Sequence, residues 1–170
     1  RYKLSNLKYK TNRNVDEAIY QFNNIEEESK NRQIAFNSAI KIIDLNIESG
    51  RVDFELIKKI EKYKKKYTKR DQIVLLDLKK NQALFYLQEF EQTSENLKEI
   101  LKKLSKESPF YNDFIDGFAT LMLFNGKDDE LSKFSSAIYH IKQNNFSDAI
   151  PVLLELNKST EDIIANLSIY

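Results

Sequence analysis

At 170 residues, with 41% apolar and 31% charged side chains, the chain is too apolar for disorder and long enough to bury roughly 70% of its unfolded surface. Its 27 basic and 26 acidic groups nearly cancel, so no global field recommends nucleic acid or a membrane. The lack of cysteine removes disulfides, thiolate metal sites and cysteine nucleophiles, and three glycines with two prolines are too few for the tight turns of a β-sandwich or α/β domain.

Residues 1–13 read as an irregular lead-in. Val15, Ile19, Phe22 and Ile25 then step by helical intervals behind Asn14, a plausible N-cap. Ile34 to Glu48 is apolar on several sides, as a central buried helix should be, and Ser49-Gly50 stops it, the glycine supplying a left-handed residue past the helix end. Leu56, Ile60, Tyr63 and Tyr67 mark the next helix, followed by Ile73 to Leu87 and Phe90 to Leu104. Ser108-Pro109 predicts a start with proline at the first helical position, carrying Phe110, Phe114, Phe118 and Leu121 to a stop at Asn125-Gly126. Asp128-Asp129-Glu130 suit the positive end of a helix running to about Lys142. Ser147 to Leu156 and Thr160 to Tyr170 complete a set of eight or nine antiparallel helices in one domain over 1–170.

The breaks fall near 30, 50, 69, 89, 107, 126, 144 and 158, a cadence of about 18–20 residues. Two steps make a helix–turn–helix unit too small to bury its apolar face alone, so neighbouring units must stack. In this the chain resembles the tetratricopeptide repeat family. Ala137, His140, Asn144, Phe146, Ala149 and Leu153 fit its motif of small, bulky, turn, aromatic and alanine positions. Gln88-Glu89-Phe90 is an echo with Thr93 in the alanine's place. Ile115, Phe118, Ala119, Met122 and Gly126 also fit, in a frame that makes the 129–142 helix second of a pair instead of first. The family's tryptophan and closing proline are absent, so the resemblance is to a degenerate array. It implies an all-α, right-handed helical solenoid whose concave face holds a protein partner.

The residues that could carry chemistry lack company. His140 is the one histidine, with neither a second histidine nor a cysteine to build a transition-metal site, and at the repeat's bulky position it should pack between helices. Asp113 with Asp116, and Asp128-Asp129-Glu130, should face water, where paired carboxylates keep similar pKa values. Gly50, Gly117 and Gly126 are isolated, so no phosphate loop exists, and the Gly-x-Ser-x-Gly and His-Glu-x-x-His motifs are missing. No catalytic residue, cofactor or metal is expected.

The sharpest local feature is Lys58 to Arg70, eight basic residues against the single acid Glu61. On a helix Lys58, Lys62, Lys65 and Lys69 step by 4, 3 and 4 into one ridge, opposite the apolar stripe of Leu56, Ile60, Tyr63 and Tyr67. Such a ridge is either a solvated face balancing acids such as Glu26-Glu27-Glu28, or a docking face for an acidic segment of another protein. Anionic headgroups enter only with an anchor upstream, and scarce arginine disfavours nucleic acid. Nine tyrosines and eleven phenylalanines supply core and exposed anchors, without the sequence sorting them.

Ile163, Ile164, Leu167 and Tyr170 leave an apolar stripe on the last helix, so the array is expected to continue or to pair there with another chain. The chain opens on Arg1 and its one methionine is Met122, so it is expected to be cut from a longer product, with any signal or anchor lying upstream. Twenty-two lysines against five arginines, with many Asn and Ile, look like the usage of an AT-rich bacterium such as a spirochaete. The functional expectation is a non-enzymatic scaffold steered by Lys58, Lys62, Lys65 and Lys69. The alternatives are a self-associating cell-envelope component and a ligand or lipid carrier with a pocket between helices.

Overall fold

The structure, a computed structural model, describes residues 1–3, 5, 6 and 14–158. Among them are eight bounded helices and no strand: α1 (Val15–Glu28), α2 (Arg32–Glu48), α3 (Phe54–Lys66), α4 (Arg70–Tyr86), α5 (Phe90–Lys103), α6 (Tyr111–Leu123), α7 (Asp128–Lys142) and α8 (Phe146–Leu156). The all-α class and the breaks between helices agree with the periodicity. Of the lead-in, Tyr2, Lys3, Ser5 and Asn6 have helical backbone. The predicted helix over Thr160–Tyr170 lies outside the described residues. One start is corrected: Pro109 sits in a turn before α6, which begins at Tyr111. The Ser108 hydroxyl accepts from the Phe110 amide at 3.4 Å, and the Tyr111 amide closes back on the Ser108 carbonyl at 3.0 Å, so this segment is spent on a turn.

Side chains terminate the early helices where their types predict. Asn14 accepts from the Glu17 amide at 3.1 Å, Asn31 from Gln33 and Ile34 at 2.9 and 3.1 Å, and Asp53 from Leu56 at 2.8 Å. Three helix ends share one turn. Gly50, Gln88 and Asn144 take φ of 76°, 62° and 58°, and the next amide in each case reaches back five residues: Arg51 to Asn46, Glu89 to Leu84, Asn145 to His140. The motif echo at Gln88-Glu89-Phe90 and Asn144-Asn145-Phe146 is therefore one backbone solution used twice. Glutamine adopts it against its own steric preference.

The contacts gather into two compact units that divide within α4, one up to Lys79 and the other from Lys80 on. In the first, α1 and α2 form a close hairpin and α2 also packs against α3. Ala18, Phe22 and Ile25 meet Ile42 and Leu45, with Tyr2, Val15 and Ile19 at the margin. Ala35, Ser38 and Ala39 are buried small side chains that let the neighbours of α2 approach its backbone. Two ion pairs secure the start of α4: Lys64 to Asp77 at 2.6 Å and Lys79 to Asp44 at 2.7 Å.

In the second unit the hairpins are α5 with α6 and α7 with α8. Ala137 and Ala149 are fully buried, whereas Ala119, Ile115 and Met122 are exposed. Burial thus chooses between the two motif frames: the helix over 128–142 is the first of its pair. Ser135 donates to the Phe85 carbonyl at 2.7 Å, the Tyr86 and Tyr139 rings stack at 4.7 Å, and Phe124 lies against Phe134 at 5.2 Å.

One buried carboxylate organises the first unit. Glu26, near the end of α1, is 6% exposed and accepts from the Tyr67 hydroxyl at 2.5 Å and from the Lys66 ammonium at 2.6 Å. Tyr67 in turn packs edge-on against Phe36 of α2. A carboxylate is tolerated here because charge-assisted hydrogen bonds replace its water. Glu26→Ala should lower stability by about 1.5–3 kcal/mol, since it strands the hydroxyl while half-exposed Lys66 returns to water. Tyr67→Phe should cost about 1 kcal/mol. Urea unfolding midpoints unchanged in both variants would contradict this role.

Burial, aided by Glu26, raises the phenols of Tyr63 and Tyr67, and burial pushes Tyr86 up to about 12. These folded values lie above the unfolded value of about 10, so the stability they contribute is complete below that pH. It is lost as pH climbs toward 12. Far-ultraviolet dichroism should fall together with the rise of tyrosinate absorbance over that window, and Tyr86→Phe should move the fall to higher pH. Ionisation of all tyrosines near pH 10 with the helices intact would contradict it.

Candidate protein-docking surfaces

The geometry of α3 starts from its buried side. Leu56, Ile60 and Tyr63 are buried, and Tyr67 caps the helix with its ring inside. With 100° per residue, these fix the outward direction, and Phe54, Lys58, Lys62 and Lys65 fall on it. All four are exposed. Lys69 is also exposed but does not continue the predicted stripe, because α3 ends at Lys66 and Lys69 lies in the connection to α4. Tyr67 closes the helix as its C-cap in extended backbone, with its hydroxyl on Glu26.

Helix phase divides the basic run into two groups. Lys59 donates to Asn23 of α1 at 3.0 Å, Lys64 reaches Asp77 on α4, and Lys66 reaches Glu26. These three hold neighbouring helices in place. Burial pulls the Lys59 ammonium below its ordinary value and Lys62 adds to that, while Glu26 and Glu27 oppose it. Burial also disfavours charge on Lys64, but Asp77 and Glu61 together outweigh it and raise the group. In the outer group Lys58 bonds Glu55 one turn back at 2.6 Å, which raises its pKa. Lys62, Lys65 and Lys69 have no ion-pair partner among the described residues. Glu26 thus answers Lys66 on the inner side, and Lys58, Lys62 and Lys65 remain exposed on the outer side of α3.

An aromatic missed from the sequence opens that face. Phe54 is 54% exposed, one turn before Lys58 on the same side. Its signal was available, since position 54 shares the phase of Lys58 and Lys62, but a phenylalanine at a helix start reads as core. Tyr20 of α1 is 66% exposed and sits in phase between Asp16, which pairs with Arg51, and Asn23, which bonds Lys59. Tyr20 thus shares the side of α1 on which Asp16 meets Arg51 and Asn23 meets Lys59.

The second unit has a different surface. Phe146, Ile150 and Leu154 are 52%, 53% and 57% exposed at successive four-residue steps along α8, while Ala149 and Leu156 on its other side are buried. The stripe at Ile163, Ile164, Leu167 and Tyr170 lies outside the described residues.

The remaining candidates are dispersed. Asp113 and Asp116 are exposed on α6, and Asp128, Asp129 and Glu130 occupy the first turn of α7. His140 is half-buried, and its Nδ1 is buried with no hydrogen-bond partner among the described residues. No group of three or more metal-binding side chains, and no helix long and apolar enough to cross a membrane, occurs among the described residues. A pocket of about 280 Å³ beside α1 is lined by Arg1, Ser5, Gln21, Asn24, Ile25 and Glu28, which is small and polar for a lipid. No protein-family model matches the chain, and neither a curated protein nor a solved structure does.

Proposed function

We propose that this chain is a non-enzymatic scaffold that holds another protein on a tetratricopeptide-like array of helical hairpins, without a cofactor. The observation that carries this reading is the outward side of α3 and the connection after it, where Lys62, Lys65 and, past the helix end, Lys69 have no ion-pair partner among the described residues although every inward lysine of the same run is tied to a neighbour. Unpaired surface charge steers an oppositely charged partner and sets its orientation more than it sets affinity. The shared turn at Gln88 and Asn144, with the buried small residues Thr93 and Ala149 after it, supports the repeat reading. The Lys-, Asn- and Ile-rich usage supports an AT-rich bacterial source and, by analogy with its repeat proteins, the cell envelope.

The test is a cross-linked capture from the native organism with the wild type and the Lys58/Lys62/Lys65/Lys69→Glu variant side by side. One protein should be enriched by the wild type and lost with the variant. Equal capture by both removes the ridge from the mechanism, and capture of nothing beyond the bait retires the adaptor reading.

A second reading, a self-associating structural component, is favoured by the stripe on α8. Three large apolar side chains, each more than half exposed in one line, are an association surface. On this reading the mass by light scattering rises with concentration, and Ile150→Asp with Leu154→Asp returns the protein to monomer. A strict monomer at every concentration would end it.

A further inference from the structure

We propose that the outward face of α3 takes an acidic amphipathic helix of a partner protein, with an apolar side chain seated on Phe54 and carboxylates over Lys62 and Lys65. The inference rests on the scaffold reading and adds the chemistry of the partner. Phe54 is exposed at the start of α3, and Lys58, Lys62 and Lys65 follow it on the same side over eleven residues, about 16 Å of helix. Cations spaced by four and three residues meet carboxylates with the same spacing on a helix lying alongside. Lys58 is already answered by Glu55, so the demand for negative charge falls on Lys62 and Lys65, with Lys69 beyond them. An exposed aromatic beside them gives the contact its apolar centre, which is where interface energy concentrates.

Competing polyanions fit this face less well. Nucleic acid would use the lysines but leave Phe54 idle, and the run ends in one arginine, Arg70, where base recognition favours several. An anionic bilayer gains little from three uncompensated lysines, and the apolar side of α3 that would enter it is buried in the first unit.

The experiment uses two labelled helical peptides of sixteen residues on an alanine frame. Both carry three glutamates spaced by four and three, and one also carries two leucines a turn before them, replaced by serine in the other. Fluorescence anisotropy should show the leucine peptide binding the wild-type chain at least about tenfold tighter than the serine peptide. Phe54→Ser should erase that difference and leave the serine peptide's binding unchanged. Lys62→Glu with Lys65→Glu should abolish both, with dichroism confirming that each variant is folded. Equal binding of the two peptides, insensitive to Phe54→Ser, overturns the apolar anchor while leaving a steering ridge. Tighter binding of a single-stranded oligonucleotide, or of vesicles containing phosphatidylserine, that ignores Phe54→Ser also overturns it. If neither peptide binds, the helix-docking inference falls, and the scaffold reading is decided separately by whether the cross-linked capture enriches a protein through the ridge.

Discussion

The arrangement of the first unit depends on Glu26. A carboxylate taken out of water near the end of α1 has to be met by donors, and the donors come from the end of α3, Lys66 and Tyr67. That pairing and the buried stripe of Leu56, Ile60 and Tyr63 agree on one rotation of α3 about its axis. The same rotation places Phe54, Lys58, Lys62 and Lys65 outward. The exposed face is the geometric complement of a buried polar contact 40 residues away in sequence.

The same economy appears in the charges. A run of eight basic side chains would repel itself on an isolated helix, since like charges one turn apart oppose each other. Here Asn23, Asp77 and Glu26 draw three lysines inward as cross-links, and Glu55 answers a fourth. What stays uncompensated is small and placed on one side, as a steering surface requires. The second unit is packed through stacked rings at Tyr86 and Tyr139 and small buried residues at Ala137 and Ala149, and leaves an apolar edge of α8 exposed.

Left-handed residues past helix ends give three helices the same close. Gly50, Gln88 and Asn144 close α2, α4 and α7 through the same backward hydrogen bond, so each following segment leaves its helix in the same local geometry. Only one of the three is glycine, so composition marks Gly50 as a stop, while Gln88 and Asn144 are marked only by the repeat motif. The strain at Gln88 is tolerated because two backbone bonds at 3.0 Å fix the turn.

Much of this was legible in one dimension. Apolar periodicity, the caps at Asn14 and Gly50 and the acidic start of α7 specify the helices and their limits, because these depend on interactions within four or five residues. Lys58, Lys62 and Lys65 could be assigned to one side of a helix for the same reason. Pro109 and Lys69 are the two boundaries that came out differently: a local turn at Ser108 takes up Pro109, and α3 closes on its cap Tyr67, which with Lys66 meets Glu26 far away in sequence. Which motif frame α7 belongs to and which lysines are spent inside were decided by tertiary structure alone, whereas the phase of Phe54 was in the sequence and only its exposure was not. Each depends on a neighbour far away in sequence, and periodicity assigns a residue to a side of its helix without saying what covers that side.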